Sequence, residues 1–86
     1  MSVVGLGPAG LERLPAATLS LLIDAPRIVV RTLQHPAAAD LASRREVVSC
    51  DDLYEEHPDF DAVYSAIVER VLDAAETGPV VFAVPG

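Results

Sequence analysis

Three short stretches of the sequence carry residues that could hold a small molecule. The first is GLGPAG, residues 5–10, which follows a short apolar run and has the spacing G-x-G-x-x-G. Glycines at this spacing let a backbone turn approach the phosphates of a dinucleotide. The other two are RTLQH, residues 31–35, and AVPG, residues 83–86. The side chains that we expect to contact a substrate there are Arg31, Thr32 and His35.

A dinucleotide site at GLGPAG would need a helix that begins at the glycines and an acidic residue after the second strand. Pro15 conflicts with such a helix, because proline inside the first turns removes a hydrogen bond and clashes with the backbone. The second strand ends at Val30, Arg31 and Thr32, without a carboxylate. A dinucleotide-binding oxidoreductase fragment is therefore kept only as an alternative, beside a structural glycine turn and a different ligand held by backbone.

The elements that must position these stretches alternate between strands and helices. Clusters of β-branched residues predict strands at 2–4, 27–30, 46–49 and 80–84. Apolar spacing and proline positions predict helices at 15–23, 36–44 and 59–77, with a polar connection before the last of them. This alternation predicts an α/β fold with a parallel sheet built from βαβ units. Both glycine-containing turns would lie at the carboxyl edge of the sheet, where such folds bind ligands.

The helix predicted at 59–77 has the clearest periodicity in the chain. Its apolar residues recur at i, i+3, i+4, i+7 and i+8, which predicts one wide apolar face. We expect Phe60 and Tyr64 to lie in the core on that face, and Phe82 of the last strand to be buried as well.

Composition excludes several classes of function. The net charge is −7 and the six basic residues are scattered, so we expect no nucleic-acid partner. No apolar stretch is long enough to predict a membrane span. The single cysteine, Cys50, is expected to be a buried apolar group and fits a cytoplasmic protein. The acidic residues between Asp51 and Asp61 have no metal-ligand spacing, so we expect no metal.

The whole chain resembles a known family. VVGLGPAGLERLPAATLSLL at the start, RTLQHPAAADL, DDLYEEHPDFDAVYSAIVERVL and the closing VVFAVPG carry the resemblance. They are similar to the tetrapyrrole methylase family, the class III S-adenosylmethionine-dependent methyltransferases. The similarity is greatest to the methylase-like N-terminal domain of bacterial fusions with MazG-type nucleoside triphosphate pyrophosphohydrolases.

This resemblance implies two α/β subdomains with S-adenosylmethionine between them and S-adenosylhomocysteine as the product. Carried over by position, the cofactor-binding residues are Gly5, Gly7, Pro8, Ala9, Gly10, Ala83, Val84, Pro85 and Gly86. The family usually has Gly-Asp where this chain has Ala9 and Gly10, and Gly-Gly-Asp-Pro where it has AVPG. Both loops therefore lack a carboxylate, and no catalytic residue is identified.

The resemblance also implies a domain organisation and a function. Residues 1–86 would be the N-terminal portion of a methylase-like domain that is interrupted at its carboxyl end, and inactive alone. We expect methyl transfer to a small, tetrapyrrole-like acceptor, with pyrophosphohydrolase activity in sequence beyond this chain. The alternative is a non-catalytic regulatory or assembly domain for the pyrophosphohydrolase. An uncovered apolar face and an unpaired sheet edge would favour a homodimer.

Overall fold

Strands and helices alternate along the chain, of which the computed structural model describes residues 2–7 and 9–85. The strands are β1 (Ser2–Gly5), β2 (Arg27–Val30), β3 (Val48–Ser49) and β4 (Val80–Val84). The helices are α1 (Ala16–Asp24), α2 (Pro36–Arg44), α3 (Asp51–Glu56) and α4 (Phe60–Ala75), with a 3-10 helix at Leu11–Arg13. The predicted bounds of β2, α2 and β4 are confirmed. Within these residues, no helix combines the length and hydrophobicity that a bilayer crossing requires.

The four strands form one parallel sheet in the order β1-β4-β2-β3. β4 lies between β1 and β2, with Val81 opposite Ser2 on one side and Ile28 on the other. Val80, Val81 and Ala83 are buried, as expected for a parallel strand that is covered on both faces. The predicted α/β fold with a parallel sheet is confirmed.

Two apolar layers cover the sheet, because alternate strand residues point to opposite faces. On the first face, α1, α2 and the 3-10 helix pack on a layer that includes Ile28, Val30 and Ala83. On the second face, α3 and α4 pack on a layer that includes Val29 and Val80. The connections β1 to β2 and β2 to β3 therefore run across the first face, and β3 to β4 returns across the second. This arrangement gives all three crossovers the same hand.

The ends of the helices follow from specific side chains. Pro36 occupies the first position of α2, where its missing N–H is not needed. Asp59 caps α4, and its carboxylate accepts the Ala62 N–H at 2.9 Å. Arg45, which follows α2, donates from one guanidinium nitrogen to the carbonyls of Leu22, Ile23 and Ala25 at 3.2, 3.0 and 2.5 Å. Arg45 thereby satisfies carbonyls at the end of α1 that the helix leaves without partners.

Only half of the predicted apolar face of α4 is buried. Val63, Ile67 and Val71 face the sheet. Phe60 is 72% exposed and Tyr64 is 53% exposed, so the prediction that both lie in the core is wrong. The periodicity marked a face that is wider than the surface the described sheet covers. We call the exposed row of α4 side chains the apolar stripe; its members are Phe60, Tyr64, Val68 and Leu72.

Candidate functional site

The carboxyl edge of the sheet brings the three chemically interesting stretches together. Gly5 at the end of β1 pairs with Val84 at the end of β4. One residue further on, the Leu6 N–H donates to the Val84 carbonyl at 2.8 Å, so the two loops leave the sheet side by side. On the other side of β4, the Arg31 N–H donates to the Ala83 carbonyl at 3.0 Å. The loops after β1, β2 and β4 therefore meet at one edge.

The glycine loop after β1 is anchored at both ends by buried leucines. Leu6 and Leu11 are each 2% exposed, whereas Gly5, Gly7 and Ala9 lie at or near the surface. Gly7 has φ +69°, a conformation that side-chain-bearing residues rarely adopt. Among the described residues other than its chain neighbours, none has an atom within 4 Å of where a Cβ at Gly7 would stand, so open space borders the backbone there. Pro8 and Gly86, two of the expected cofactor contacts, lie outside the described residues.

The helix after the glycine loop starts late, as Pro15 predicted. Gly10 leads into the 3-10 helix, and Leu14 and Pro15 are extended before α1 begins at Ala16. The amino end of α1 is therefore not the element that follows the glycines directly. A dinucleotide turn depends on that direct succession, because its pyrophosphate lies at the start of the helix. The geometry therefore does not favour a dinucleotide turn, and it agrees with a loop that holds a different ligand by its backbone.

Glu12 supplies the carboxylate that the glycine loop itself lacks. A Cβ atom at Gly10 would lie 2.6 Å from Oε2 and 3.0 Å from Oε1 of Glu12. The Glu12 carboxylate thus occupies the space that the side chain of residue 10 would fill. This is where the resemblance implied a missing aspartate. Glu12 was not predicted as a site residue; its position two residues after Gly10 was the available signal.

His35 links the loop after β2 to the glycine loop. Its Nδ1 accepts the Ala37 N–H at 3.1 Å and so caps α2. Because Nδ1 is the acceptor, the neutral ring carries its proton on Nε2, which donates to the Gly7 carbonyl. Both ring nitrogens therefore have partners within the chain. His35 acts as a positioning residue for the glycine loop, and its predicted contact with a substrate stays a prediction.

A crevice opens at the carboxyl edge between β2 and β3. The chain leaves β2 toward α2 on the first face and leaves β3 toward α3 on the second, so the two connections diverge. Ligands of open α/β sheets bind at such a divergence. The crevice measures about 350 Å³ and is lined by Arg31, Thr32, Gln34, Asp51, Tyr54 and Glu55. Two of the three predicted substrate contacts, Arg31 and Thr32, therefore line one cleft.

Asp51 fixes the shape of this crevice. Its Oδ2 accepts the Leu33 N–H at 2.9 Å and the Ser49 hydroxyl at 3.3 Å, which joins the loop after β2 to the end of β3. Partial burial acts to raise the pKa of Asp51. Hydrogen bonds from Thr32, Leu33 and Ser49 favour the charged form more strongly, and the net effect lowers that pKa. Asp51 is thus an ionised group with a structural role. It could bind a ligand only through the lone pairs that these hydrogen bonds leave free.

Cys50 and the Arg70–Asp52 pair lie behind the crevice. Cys50 is wholly buried, as predicted, and burial raises the pKa of its thiol despite the neighbouring Arg70. A protonated buried thiol is a poor nucleophile. Arg70 donates to both carboxylate oxygens of Asp52 at 2.6 and 3.0 Å and to the Ser49 carbonyl at 2.8 Å. These hydrogen bonds lower the pKa of Asp52, and the pair ties α4 to the end of β3.

The edge as a whole offers positioning groups. Backbone from two loops, the Glu12 carboxylate and the Arg31 guanidinium can orient a ligand, which suits the transfer of an already activated group. Ala83 is buried and supports the edge from beneath, whereas Val84 and Pro85 are partly exposed beside the glycine loop. Among residues 2–7 and 9–85, no three His, Cys, Asp or Glu side chains approach as metal ligands would. Four residues that line the crevice were not predicted as site residues from the sequence: Gln34, Asp51, Tyr54 and Glu55.

Comparison with known proteins identifies a relative of this chain. The chain is 38% identical over 87 residues to the uncharacterized protein YabN of Bacillus subtilis (strain 168). The match covers 100% of this chain and 18% of YabN, so the chain spans less than a fifth of that protein's length. No family model matches the chain.

Proposed function

We propose that this chain is part of an S-adenosylmethionine-dependent, tetrapyrrole methylase-like domain associated with a MazG-type nucleotide pyrophosphohydrolase. The observation that supports this best is the pairing of the two loops that the resemblance implies for the cofactor. The bond from the Leu6 N–H to the Val84 carbonyl sets Gly7 and Pro85 at one edge. Backbone from both loops is therefore close enough to contact one molecule. We place this domain in the cytoplasm.

The residues at this edge fit the proposed cofactor. Gly7 presents open backbone in a conformation that needs glycine, which permits close approach of an adenosyl group. The Glu12 carboxylate beside Gly10 can accept hydrogen bonds from ribose hydroxyls or from the ammonium of the methionyl part. His35 holds the Gly7 carbonyl and keeps the loop in place. When bound, S-adenosylmethionine supplies a methyl group that its sulfonium charge already activates.

The acceptor would enter the crevice between β2 and β3. Arg31 can pair with a carboxylate of a tetrapyrrole-like acceptor, since a guanidinium binds carboxylates in a bidentate manner. On the wall of the crevice opposite Arg31, Tyr54 offers an aromatic face and Glu55 offers a negative charge. Arg31 also follows β2, which lies next to β4, so the crevice adjoins the loop at Pro85. Cofactor and acceptor would thus meet above the ends of β2 and β4.

Calorimetry on two proteins tests the proposal. The first is the 86-residue chain; the second, the YabN chimera, is YabN with these 86 residues in place of the 87 that they match. We expect the YabN chimera to bind S-adenosylmethionine and S-adenosylhomocysteine and the short chain to bind neither, because half of the cleft is absent. Glu12→Gln should weaken binding by about tenfold, the effect of one charge-assisted hydrogen bond.

Glu69→Gln is the matched control, because Glu69 is also exposed and lies on α4, away from the edge. It should leave the affinity unchanged. A folded YabN chimera that gives no heat and no thermal shift with either compound would overturn the cofactor proposal. If Glu12→Gln and Glu69→Gln weaken binding equally, Glu12 does not contact the cofactor, although the cofactor proposal itself stands.

A non-catalytic regulatory or assembly domain is the second candidate. The absence of aspartates from residues 9, 10 and 83–85 favours it, because the family pattern that the resemblance implies has them in both loops. On this alternative the YabN chimera binds no cofactor, but deletion of the segment changes the nucleotide pyrophosphohydrolase activity that we propose for the longer protein. A rate of hydrolysis that is the same with and without the segment would reject this candidate.

A further inference from the structure

The imidazole ring of His35 makes two hydrogen bonds that only its neutral form can make together. Its Nδ1 accepts the Ala37 N–H at 3.1 Å, and its Nε2 donates to the Gly7 carbonyl. A protonated ring carries an N–H on both nitrogens, so it can donate to Gly7 but cannot accept from Ala37. The charge of the ring is therefore coupled to the bridge between α2 and the glycine loop.

The Ala37 N–H depends on this ring for its hydrogen bond. Ala37 is wholly buried, and the first turn of a helix leaves its N–H groups without partners inside the helix. A proton on Nδ1 would set two donors against each other and leave the buried Ala37 N–H unsatisfied, which is costly. Because the ring is rigid, a rotation that takes Nδ1 away from Ala37 also takes Nε2 away from the Gly7 carbonyl. Protonation therefore breaks both bonds.

The groups around His35 do not stabilise a protonated ring. The ring caps the amino end of α2, where the helix dipole is positive and disfavours a cation. The 3-10 helix, the loop after β2, the first two turns of α2 and the start of α3 adjoin His35 or its loop. Their charged side chains are Glu12, Arg13, Arg31, Asp40, Asp51 and Asp52. Within residues 2–7 and 9–85, no carboxylate oxygen lies within 4.0 Å of a ring nitrogen of His35.

Release of His35 would free the middle of the glycine loop. Both ends of the loop are fixed, because Leu6 and Leu11 are buried and the Leu6 N–H is bonded to β4. Between them, the hydrogen bonds among described residues that involve Gly7 or Ala9 reduce to the one from His35. Glycine has more backbone freedom than any other residue, so the conformation of the loop at Gly7 depends on this bond.

We propose that His35 is a pH-sensitive positioning residue: its neutral ring holds the glycine loop in the form that binds the proposed cofactor, and protonation releases the loop. The identity of the ligand rests on the proposed function, whereas the coupling of ring charge to loop position rests on the two hydrogen bonds. Histidine is the side chain that ordinarily changes charge between pH 5 and 8. Binding of S-adenosylhomocysteine should therefore weaken as the solution is acidified across that range.

A pH titration of the 86-residue chain by two-dimensional NMR tests the coupling without a cofactor. Between pH 8 and 5, we expect the amide resonances of Gly7 and Ala37 to move with the same midpoint as the ring protons of His35. His35→Gln keeps an N–H donor at the distance of Nε2 but does not titrate, so it should abolish both movements. His57→Asn is the matched control, because His57 is the second histidine and lies at the end of α3. It should leave the titrations unchanged.

Calorimetry of the YabN chimera with S-adenosylhomocysteine tests the effect on binding. From pH 7.5 to 5.5 the affinity should fall about tenfold, because it scales with the fraction of protein in the binding-competent form. The His57→Asn variant of the chimera should show the same fall. In the His35→Gln variant the affinity should change by about twofold or less, since its loop is held at every pH. Circular dichroism at both pH values should show an unchanged fold.

Two results would overturn the proposal. Amide resonances of Gly7 and Ala37 that do not follow the His35 ring would show that its charge does not move the loop. A fall in affinity that persists in His35→Gln would assign the pH dependence to another group. A chimera that binds no S-adenosylhomocysteine at any pH, while the two amides still titrate with the ring, would overturn the proposed cofactor and confirm that the ring charge controls the loop.

Discussion

The imidazole of His35 holds the carbonyl of Gly7, 28 residues away in the sequence. The same ring caps α2 through Nδ1. One side chain therefore joins the start of a helix to the loop that the resemblance assigns to the cofactor. The position of the glycine loop therefore depends on how α2 is placed.

Substitutions of His35 should separate its two roles. His35→Asn keeps a good helix cap but does not reach Gly7, whereas His35→Ala removes both interactions. We expect His35→Ala to lower the free energy of unfolding by about 1 kcal/mol more than His35→Asn does, since that is the usual value of a cap. Both variants should shift the amide resonance of Gly7. Urea denaturation and two-dimensional NMR measure these effects, and an unshifted Gly7 resonance in both would contradict the contact.

Gly7→Ala should destabilise the chain through backbone strain. At φ +69° a Cβ costs about 1 to 2 kcal/mol, although no described residue beyond its chain neighbours would clash with it. Gly10→Ala is the control, because Gly10 has an ordinary φ of −76° and its new Cβ would only displace the flexible end of Glu12. We expect that control to change stability by less than about 0.5 kcal/mol. Equal effects in urea denaturation would show that the strain at Gly7 is unimportant.

Much of this fold could be predicted because its signals are local. β2, β4 and α2 begin and end where β-branched runs, Pro36 and Pro79 dictate. The exposure of Phe60 and Tyr64 could not be predicted from the sequence. The spacing of apolar residues indicates the whole face that a helix can bury, but it does not indicate which part of that face the sheet covers. The segment that forms α3 was predicted as a polar connection. Its sequence gives little sign of a helix, because Leu53 is the one side chain that α3 buries.

The geometry of the site was less accessible from sequence. The meeting of the loops after β1, β2 and β4 followed from the parallel order of the strands. The Glu12 carboxylate and the His35–Gly7 bond depend on side-chain positions that no periodicity encodes. The structural role of Asp51 was not predicted, because two of its donors, Thr32 and Leu33, lie in the loop after β2 and the third, Ser49, lies in β3.

Acid should destabilise the chain partly through Asp51. Hydrogen bonds in the folded state hold its pKa below the ordinary value of 3.8, so folding is favoured by its charged form. This contribution is fully present above pH 3.8 and is lost as the pH falls toward the lower pKa of the folded state. Asp51→Asn should therefore flatten the decline of stability below pH 4, whereas Asp73→Asn should retain it. Thermal unfolding between pH 2.5 and 7 measures both, and parallel curves for Asp51→Asn and the parent would contradict this role.

Cys50 should be inert in the folded chain. Burial raises the pKa of its thiol, and alkylating reagents require an accessible thiolate. We expect iodoacetamide at pH 8 to label Cys50 only after denaturation, at a rate limited by unfolding. Arg70→Met should accelerate labelling only as far as it accelerates unfolding, because in the folded state the loss of the guanidinium raises the thiol pKa further. Rapid modification of the native protein would place Cys50 at the surface and remove the basis for its structural role.

The Arg45 guanidinium gathers three carbonyls at the end of α1, at the amino edge of the sheet. At the opposite edge, the glycine loop after β1 is joined to its neighbours by single hydrogen bonds, from Leu6 to Val84 and from His35 to Gly7. More hydrogen bonds therefore hold the end of α1 at the amino edge than hold the glycine loop at the carboxyl edge. A ligand that separates the loops at the carboxyl edge would therefore move the loops alone. The end of α1, which Arg45 holds at the amino edge, would keep its position.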